Sequence, residues 1–398
     1  MKAVVIGPGR IGCGFAGELL HSSGYDLTFV ARKPEVVRHL NRVGRYRVKL
    51  TSTTEQREQV IGPVRALWTQ DTSAVSGAIA EANVIATAVG PQNLALVAPI
   101  LAAGLERRRS PANVLAFENL INAGSWLRRL VRNAVHGANM AEDHGFSGAL
   151  VKRAVTQKRG SIASDEPLEF IGDTPSSFVV DATSLKKPFP KIKGMVTTKH
   201  FTAWALRKLY VFSAGHATAA YLGSLKGYHY IHSAVRDPEI RAAVLAAMRE
   251  GQRGLEAKFG WETCNGDKEL EEIMARFENA LLSDPIQRVG RDPRRKLGPK
   301  ERLVGAARLA ERAGVVPESL VLATAAALCF CDPEDPSCTE LNTLIRNSGA
   351  GAVLEKVCGL DQKSELASSV LKSWGQLAPG WQPGNQLVSL ERRMWAWG

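Results

Sequence analysis

The sequence predicts an α/β protein in two parts: a doubly wound parallel sheet in the N-terminal half and a mostly α-helical C-terminal half. Three observations carry this. Residues 2–6 (Lys-Ala-Val-Val-Ile) are a short β-branched run that stops at Gly7-Pro8-Gly9-Arg10-Ile11-Gly12 and passes at once into a helical pattern over 15–20. Apolar runs at 26–30, 83–89 and 113–117 alternate with helical patterns at 36–43, 72–80, 93–105 and 125–133, the rhythm of buried parallel strands joined by helices. From about residue 201 the pattern turns helical, at 203–223, 237–259, 268–278, 299–312 and 317–330. Between the halves, residues 160–200 mix glycine, proline and lysine with alternating polar and apolar positions, and read as short strands and loops. The expected division is therefore 1–200, 201–374 and a tail, 375–398, that holds Trp395 and Trp397.

A chain of 398 residues is long enough for two or three domains, each with its own core. Charged residues at 23% and hydrophobic residues at 45% describe a folded globular protein. No apolar run is long enough to span a bilayer. The N-terminal apolar stretch, residues 3–6, is too short for a secretory signal. Six cysteines without a regular framework suit a reducing compartment, so a cytoplasmic location is expected. Cys329, Cys331 and Cys338 lie close together but lack a second Cys/His pair at ligand spacing, and no metal site is expected. The net charge of +12 comes from cations spread along the chain without interleaved aromatics, which argues against nucleic acid and for anionic small molecules as partners. The oligomeric state is left open.

The glycine turn carries the first chemistry. Gly7, Gly9 and Gly12, with Arg10 and Ile11 between them, allow a tight turn whose backbone N–H groups approach a pyrophosphate at a helix N-terminus. Such a spacing alone is a weak signal, but here a strand precedes it, a helix follows it and a second strand arrives at the right distance. This is a Rossmann-type unit. At the end of the second strand, where an NAD site usually has an acidic residue, the chain reads Val30-Ala31-Arg32-Lys33. Loss of the carboxylate removes repulsion against a 2′-phosphate and Arg32 offers charge-assisted contacts, so NADP is expected over NAD. The alternative is that Arg32 and Lys33 are exposed loop cations and NAD is still accepted. Ligands of such sheets sit beyond the strand ends. Thr87, Val89, Gly90 and Asn119 are accordingly expected to face cofactor or substrate, with a turn-capping role as the competing reading of Asn119.

The second chemistry lies in Arg207-Lys208-Leu209-Tyr210-Val211-Phe212-Ser213-Ala214-Gly215-His216. On a regular helix, at about 100° per residue, Lys208, Ser213 and His216 fall within roughly 140°. An amine, a hydroxyl and an imidazole would share one face. A lysine in apolar surroundings loses part of its preference for the charged form and can act as a base. The same spacing suits a partly buried amphipathic helix whose histidine is hydrogen-bonded and whose lysine reaches solvent. Further on, Arg288, Arg291, Arg294, Arg295 and Lys296 put five cations in nine residues: a phosphate cradle or a solvated loop.

Taken with Thr87-Ala88-Val89-Gly90-Pro91, Glu118-Asn119, Gly215-His216-Ala217, Ala220-Tyr221-Leu222-Gly223, Arg276-Phe277-Glu278-Asn279 and Gly359-Leu360-Asp361, these stretches make the chain resemble the mannitol-1-phosphate 5-dehydrogenase family of polyol-specific long-chain dehydrogenases, from residue 2 to about 374. The resemblance implies a Rossmann domain followed by a helical domain, with the active site between them. It implies metal-independent oxidation of a polyol at a secondary alcohol, mannitol 1-phosphate to fructose 6-phosphate, and the reverse reduction. Lys208 matches the general base, Asn119 an asparagine that helps hold the reacting oxygen, and His216 the substrate-orienting histidine. Two departures stand out. Ser213 occupies the place of a second oxygen-holding asparagine, and one lost donor of this kind costs about 3–4 kcal/mol. Lys152 stands where the family carries the aspartate of Val-Asp-Arg, in a strand expected near substrate. The alternative reading is a catalytically decayed dinucleotide-binding sensor or scaffold.

Overall fold

The computed structural model describes residues 1–52, 55–134, 140–158, 165–260 and 266–377. The tail beyond Leu377, with Trp395 and Trp397, lies outside the described residues. The chain divides into two compact units, Met1–Ala205 and Leu206–Gly398.

In the first unit, β1 (Lys2–Ile6), β2 (Asp26–Ala31), β5 (Val64–Trp68), β6 (Val84–Thr87), β7 (Asn113–Ala116) and β8 (Gly145–Val151) run parallel in the order β5-β2-β1-β6-β7-β8. Beyond β8 the short strands read at 160–200 extend the parallel sheet by an antiparallel step. There β11 (Phe178–Asp181) pairs antiparallel to β8, and β12 (Met195–Thr198) pairs parallel to β11. A separate four-stranded sheet, β4-β3-β10-β9, is made of β3 (Tyr46–Thr51), β4 (Gln56–Ile61), β9 (Val155–Gln157) and β10 (Glu169–Asp173); of these, only β10 lies in the stretch read as short strands.

Alternation along β1 sorts the two faces of the main sheet. Val4 and Ile6 pack with side chains of α3 (Thr72–Glu81), α4 (Leu94–Glu106) and α5 (Ala123–Ala134). Ala3 and Val5 pack with Phe15, Leu19 and Leu20 of the first helical segment and with Tyr46, Val48 and Phe170 of the small sheet. That segment is a π-helical turn, Gly12–Gly17, running into α1 (Glu18–Ser22). A Cβ at Gly14 would lie 2.6 Å from Val155 Cγ1 and one at Gly17 2.4 Å from the Tyr46 hydroxyl, so glycine lets the helix settle on the small sheet. Carbonyls around the π turn are satisfied from the side: Tyr46 Oη donates to Cys13 O at 3.0 Å and Arg153 Nη1 to Gly14 O at 3.1 Å. The helix α2 (Pro34–Val43) packs against β5. Part of the basic excess is structural, since Arg108 Nη1 donates at 2.8 Å to the carbonyls of Ile79, Ala80 and Ala82 at the end of α3.

A short helix, α6 (Met140–Asp143), precedes β8, and α7 (Phe201–Arg207) crosses the division between the units. The second unit is helical: α8 (Ser213–Leu225), α9 (Ile231–Ala234), α10 (Pro238–Phe259), α11 (Gly266–Phe277), α12 (Ile286–Gly290), α13 (Pro293–Lys296), α14 (Val304–Arg312), α15 (Glu318–Leu328), α16 (Pro336–Lys356) and α17 (Glu365–Leu377). Its core gathers Tyr221, Val244, Met248, Met274 and Phe330 around the small-residue faces of α8 and α15. No helix among the described residues is long and apolar enough to cross a membrane.

Candidate functional site

The parallel register ends β1 and β2 together, Ile6 beside Val30, with Thr87 of β6 on the other side of Ile6. The turn after β1 and the loops after β2 and β6 therefore emerge at one sheet edge. Gly7 has φ +101° and its N–H donates to Val30 O at 2.9 Å. A Cβ there would meet Ala88 O at 2.6 Å, and one at Gly12 would lie 1.9 Å from Gly7 O. Both glycines are required by close backbone approach. Gly9 differs: a Cβ there meets nothing within 4 Å. Its backbone faces open space of the kind a pyrophosphate fills at a helix N-terminus. The residues present fit a dinucleotide.

Around this turn, Arg10, Arg32 and Lys33 are exposed and Ile11 is half-buried. Ala31 ends β2 opposite Trp68, whose indole Nε1–H donates to Arg32 O at 3.1 Å and ties down the backbone that presents the Arg32 guanidinium. Thr87 is buried at the end of β6. Val89 and Gly90 offer less to a ligand than the sequence suggested, because their N–H groups are held by Glu118: Oε1 accepts from Val89 at 2.9 Å and Oε2 from Gly90 at 2.7 Å. Burial pushes the Glu118 carboxyl up, against the pull of these two N–H groups. Asn119 follows it, exposed in the loop after β7.

Lys152, just past β8, has its ammonium 5.0 Å from the Trp204 ring centroid. Arg153, which the sequence reading passed over, is deeply buried. It pairs with Glu18 at 2.9 Å, donates to Pro175 O at 3.0 Å and lies 4.9 Å over the Phe15 ring. It fastens the π turn to the strands.

In the second unit the expected regular helix over 203–223 is interrupted. Residues Lys208–Phe212 form a π-helical turn, closed by Ser213 N–H donating to Lys208 O. Such a turn inserts one residue into the α-helical ladder and recurs at functional sites. Ser213 and His216 thus stand where the fourth and seventh residues after Lys208 would stand in a regular helix. At about 100° per residue the three then span about 60° rather than about 140°. The π turn gathers amine, hydroxyl and imidazole onto one stripe.

Burial pulls the Lys208 amine down to about 8, and the nearby charges of Arg276 and Arg302 push it the same way. His216 Nε2 lies 3.2 Å from Asp284 Oδ2, and its ring stacks on Phe277 at 4.9 Å and 12°. Burial lowers the His216 pKa further than Asp284 raises it, so the imidazole is neutral near pH 7. Asp284 escaped the sequence reading. Its one signal was its place four residues before Arg288, the spacing of a helical ion pair.

The cations of 288–296 do not form one cradle. Arg288 Nε donates to Asp284 Oδ1 at 2.6 Å. Arg294 pairs with Glu340, Arg295 pairs with Asp292, and Lys296 is buried with its amine on Val289 O. Arg291 is exposed. Carboxylates and one carbonyl take up most of the charge that a phosphate would have met.

The first unit is thus a dinucleotide-binding domain of the oxidoreductase kind, and the second carries a lysine whose pKa burial holds well below the ordinary value. The mannitol dehydrogenase Rossmann domain profile matches residues 1–194 and the mannitol dehydrogenase C-terminal domain profile matches residues 200–378. The chain belongs to the mannitol dehydrogenase family of polyol dehydrogenases. Among solved structures it is similar to Pseudomonas fluorescens mannitol 2-dehydrogenase, a ternary complex with NAD and D-mannitol. The TM-score is 0.74 and the identity 17%, over 95% of this chain and 92% of that one. It is similar also to a D-sorbitol dehydrogenase in substrate-free form, with a TM-score of 0.76 and 15% identity, over 95% of this chain and 93% of the other. At such identities the likeness is one of fold.

Proposed function

We propose that the protein interconverts a polyol and a ketose with NADP as the preferred cofactor, mannitol 1-phosphate and fructose 6-phosphate being the first pair to test. The observation that carries the reading is the Lys208 amine, with a pKa of about 8, on one stripe with Ser213 and a neutral His216. A bound nicotinamide would supply the hydride acceptor for oxidation of the carbinol carbon and the hydride donor for the reverse reduction. Lys208 accepts the hydroxyl proton in oxidation and donates it to the nascent alkoxide in reduction. Asn119 and Ser213 donate hydrogen bonds to the reacting oxygen, and His216 orients the substrate. Arg32 contacts the 2′-phosphate, supported by the Trp68 bond to its backbone.

The partners already held by Arg294 and Lys296 favour a second reading, in which the polyol carries no phosphate. With Arg288 held by Asp284 as well, a phosphate would be left chiefly to Arg291. Steady-state assays of mannitol 1-phosphate, mannitol and sorbitol with NADP and NAD, and of the matching ketoses with NADPH and NADH, separate the two. Higher kcat/KM for the phosphorylated substrates supports the first reading, and higher values for the free ones support the second. No turnover of any pair removes both and leaves a decayed dinucleotide-binding protein.

A further inference from the structure

Asp284 sits in the loop ahead of α12 and is buried. Its two oxygens are divided between two side chains from different elements. Oδ2 meets His216 Nε2 of α8 at 3.2 Å, and Oδ1 accepts from Arg288 Nε of α12 at 2.6 Å. The backbone on either side is tied to the loop before α9: Ile231 N–H donates to Asp284 O at 3.0 Å, and Ile286 N–H donates to His229 O at 2.9 Å. The ring of His216 is clamped from α11, stacked on Phe277. Among the described residues its Nδ1 has no protein hydrogen-bond partner.

We propose that Asp284 is a positioning residue that sets the hydrogen-bond polarity of the polyol site. It holds the His216 proton on Nε2, so that Nδ1 presents a lone pair to a substrate hydroxyl, and it fixes the Arg288 guanidinium beside it. The inference rests on the polyol reading above. An ionised carboxylate has only acceptors to offer, so the ring nitrogen facing it must carry hydrogen. Burial drives the Asp284 pKa up, but the His216 hydrogen bond and the charges around it outweigh burial, and the carboxyl is held below its ordinary value. The charged groups acting on His216 are Asp284, Arg288 and Lys296, with Arg276 one ring removed, over Phe212. The substrate atom at Nδ1 is then a hydroxyl donor and the atom at Arg288 an acceptor. That polarity fits a hydroxyl-bearing chain rather than a carbonyl at the His216 position.

Asp284→Asn tests this, because an amide has one acceptor where the carboxylate has two. The charged guanidinium is the stronger donor and takes the amide oxygen. The amide NH2 then faces His216 and drives its proton to Nδ1. Removing the competition in Asp284→Asn/Arg288→Met frees the oxygen to turn back. The tautomer is read from imidazole 15N shifts of uniformly labelled full-length protein, with His216→Gln giving the assignment. The expected result is Nε2–H in the native protein, Nδ1–H in the single variant and Nε2–H again in the double variant. In kinetics, Asp284→Asn is expected to lower kcat/KM for the polyol by about 10- to 100-fold, while the dinucleotide Kd holds.

A native Nδ1–H tautomer, or a single variant with tautomer and polyol kcat/KM unchanged, overturns the proposal. A native protein that turns over no polyol refutes the function instead, and the 15N shifts still decide whether Asp284 sets the tautomer.

Discussion

Replacing Arg276 by Gln perturbs the proposed base without touching it. Lys208 has a pKa of about 8 where an ordinary lysine has 10.5. That difference leaves about 300 times more free amine at pH 7 than an unperturbed lysine would have, since each unit is tenfold. Burial is the larger cause and survives the substitution, whereas the charge of Arg276 does not. The sign follows directly. A cation beside an amine disfavours its protonated form, so removing the cation raises the pKa and shrinks the free-amine fraction below it. In the native protein, log kcat/KM for polyol oxidation should climb with pH and level off above about 8. Ketose reduction, which needs the ammonium, should fall across the same range. In Arg276→Gln both midpoints should move up, and oxidation at pH 7 should drop by about tenfold for every unit of movement. The assay is initial velocity by nicotinamide absorbance from pH 6 to about 10.5 in buffers of constant ionic strength. A midpoint that stays put, or moves down, refutes the assignment of that limb to Lys208.

Other consequences can be measured independently. Arg32→Gln should raise the KM for NADP by about 10-fold or more and leave that for NAD nearly unchanged, because it removes a charge-assisted contact that only the 2′-phosphate makes. Gly9→Val should fold with native thermal stability yet lose dinucleotide binding, since its side chain would fill open space. Gly12→Ala, which brings a Cβ to 1.9 Å from Gly7 O, should lower the unfolding temperature as well. Arg153→Met strands Glu18 as a buried unpaired carboxylate and should cost about 3–5 kcal/mol in urea unfolding.

Much of this molecule was readable from residue order, and the unread parts share a physical cause. The turn after β1 was legible because Gly7 and Gly12 answer backbone constraints that no other residue satisfies. The helices α8, α10, α11, α14 and α15 were legible through apolar residues at helical spacing, whereas the short α9, α12 and α13 were not. By contrast, β3 does alternate, with Tyr46 and Val48 buried and Arg47 exposed. Its partner β4, however, reads Gln-Arg-Glu-Gln-Val-Ile and is mostly exposed, so it is held by its pairing with β3 and carries little apolar pattern of its own. The helix α16 went unread because Gly349, at φ 79°, breaks it in the middle. The π turn at Lys208 was invisible to any reading at a fixed angle per residue, yet it is what aligns Ser213 and His216 with the lysine. The basic run at 288–296, left open between cradle and loop, was undecided for the opposite reason. Its density of charge was plain in the sequence, but which cations are neutralised was not: Glu340 approaches from elsewhere in the fold, while Asp292 inside the run and Asp284 just before it fold back onto Arg295 and Arg288.

The most direct test of the central claim uses Lys208→Ala. Binding of NADPH is followed by fluorescence titration and turnover by single-turnover reduction of the best ketose found for the native protein. The account predicts an unchanged NADPH Kd and a rate lowered by about 10²- to 10⁴-fold at pH 7. A variant that reduces the ketose at the native rate would contradict it.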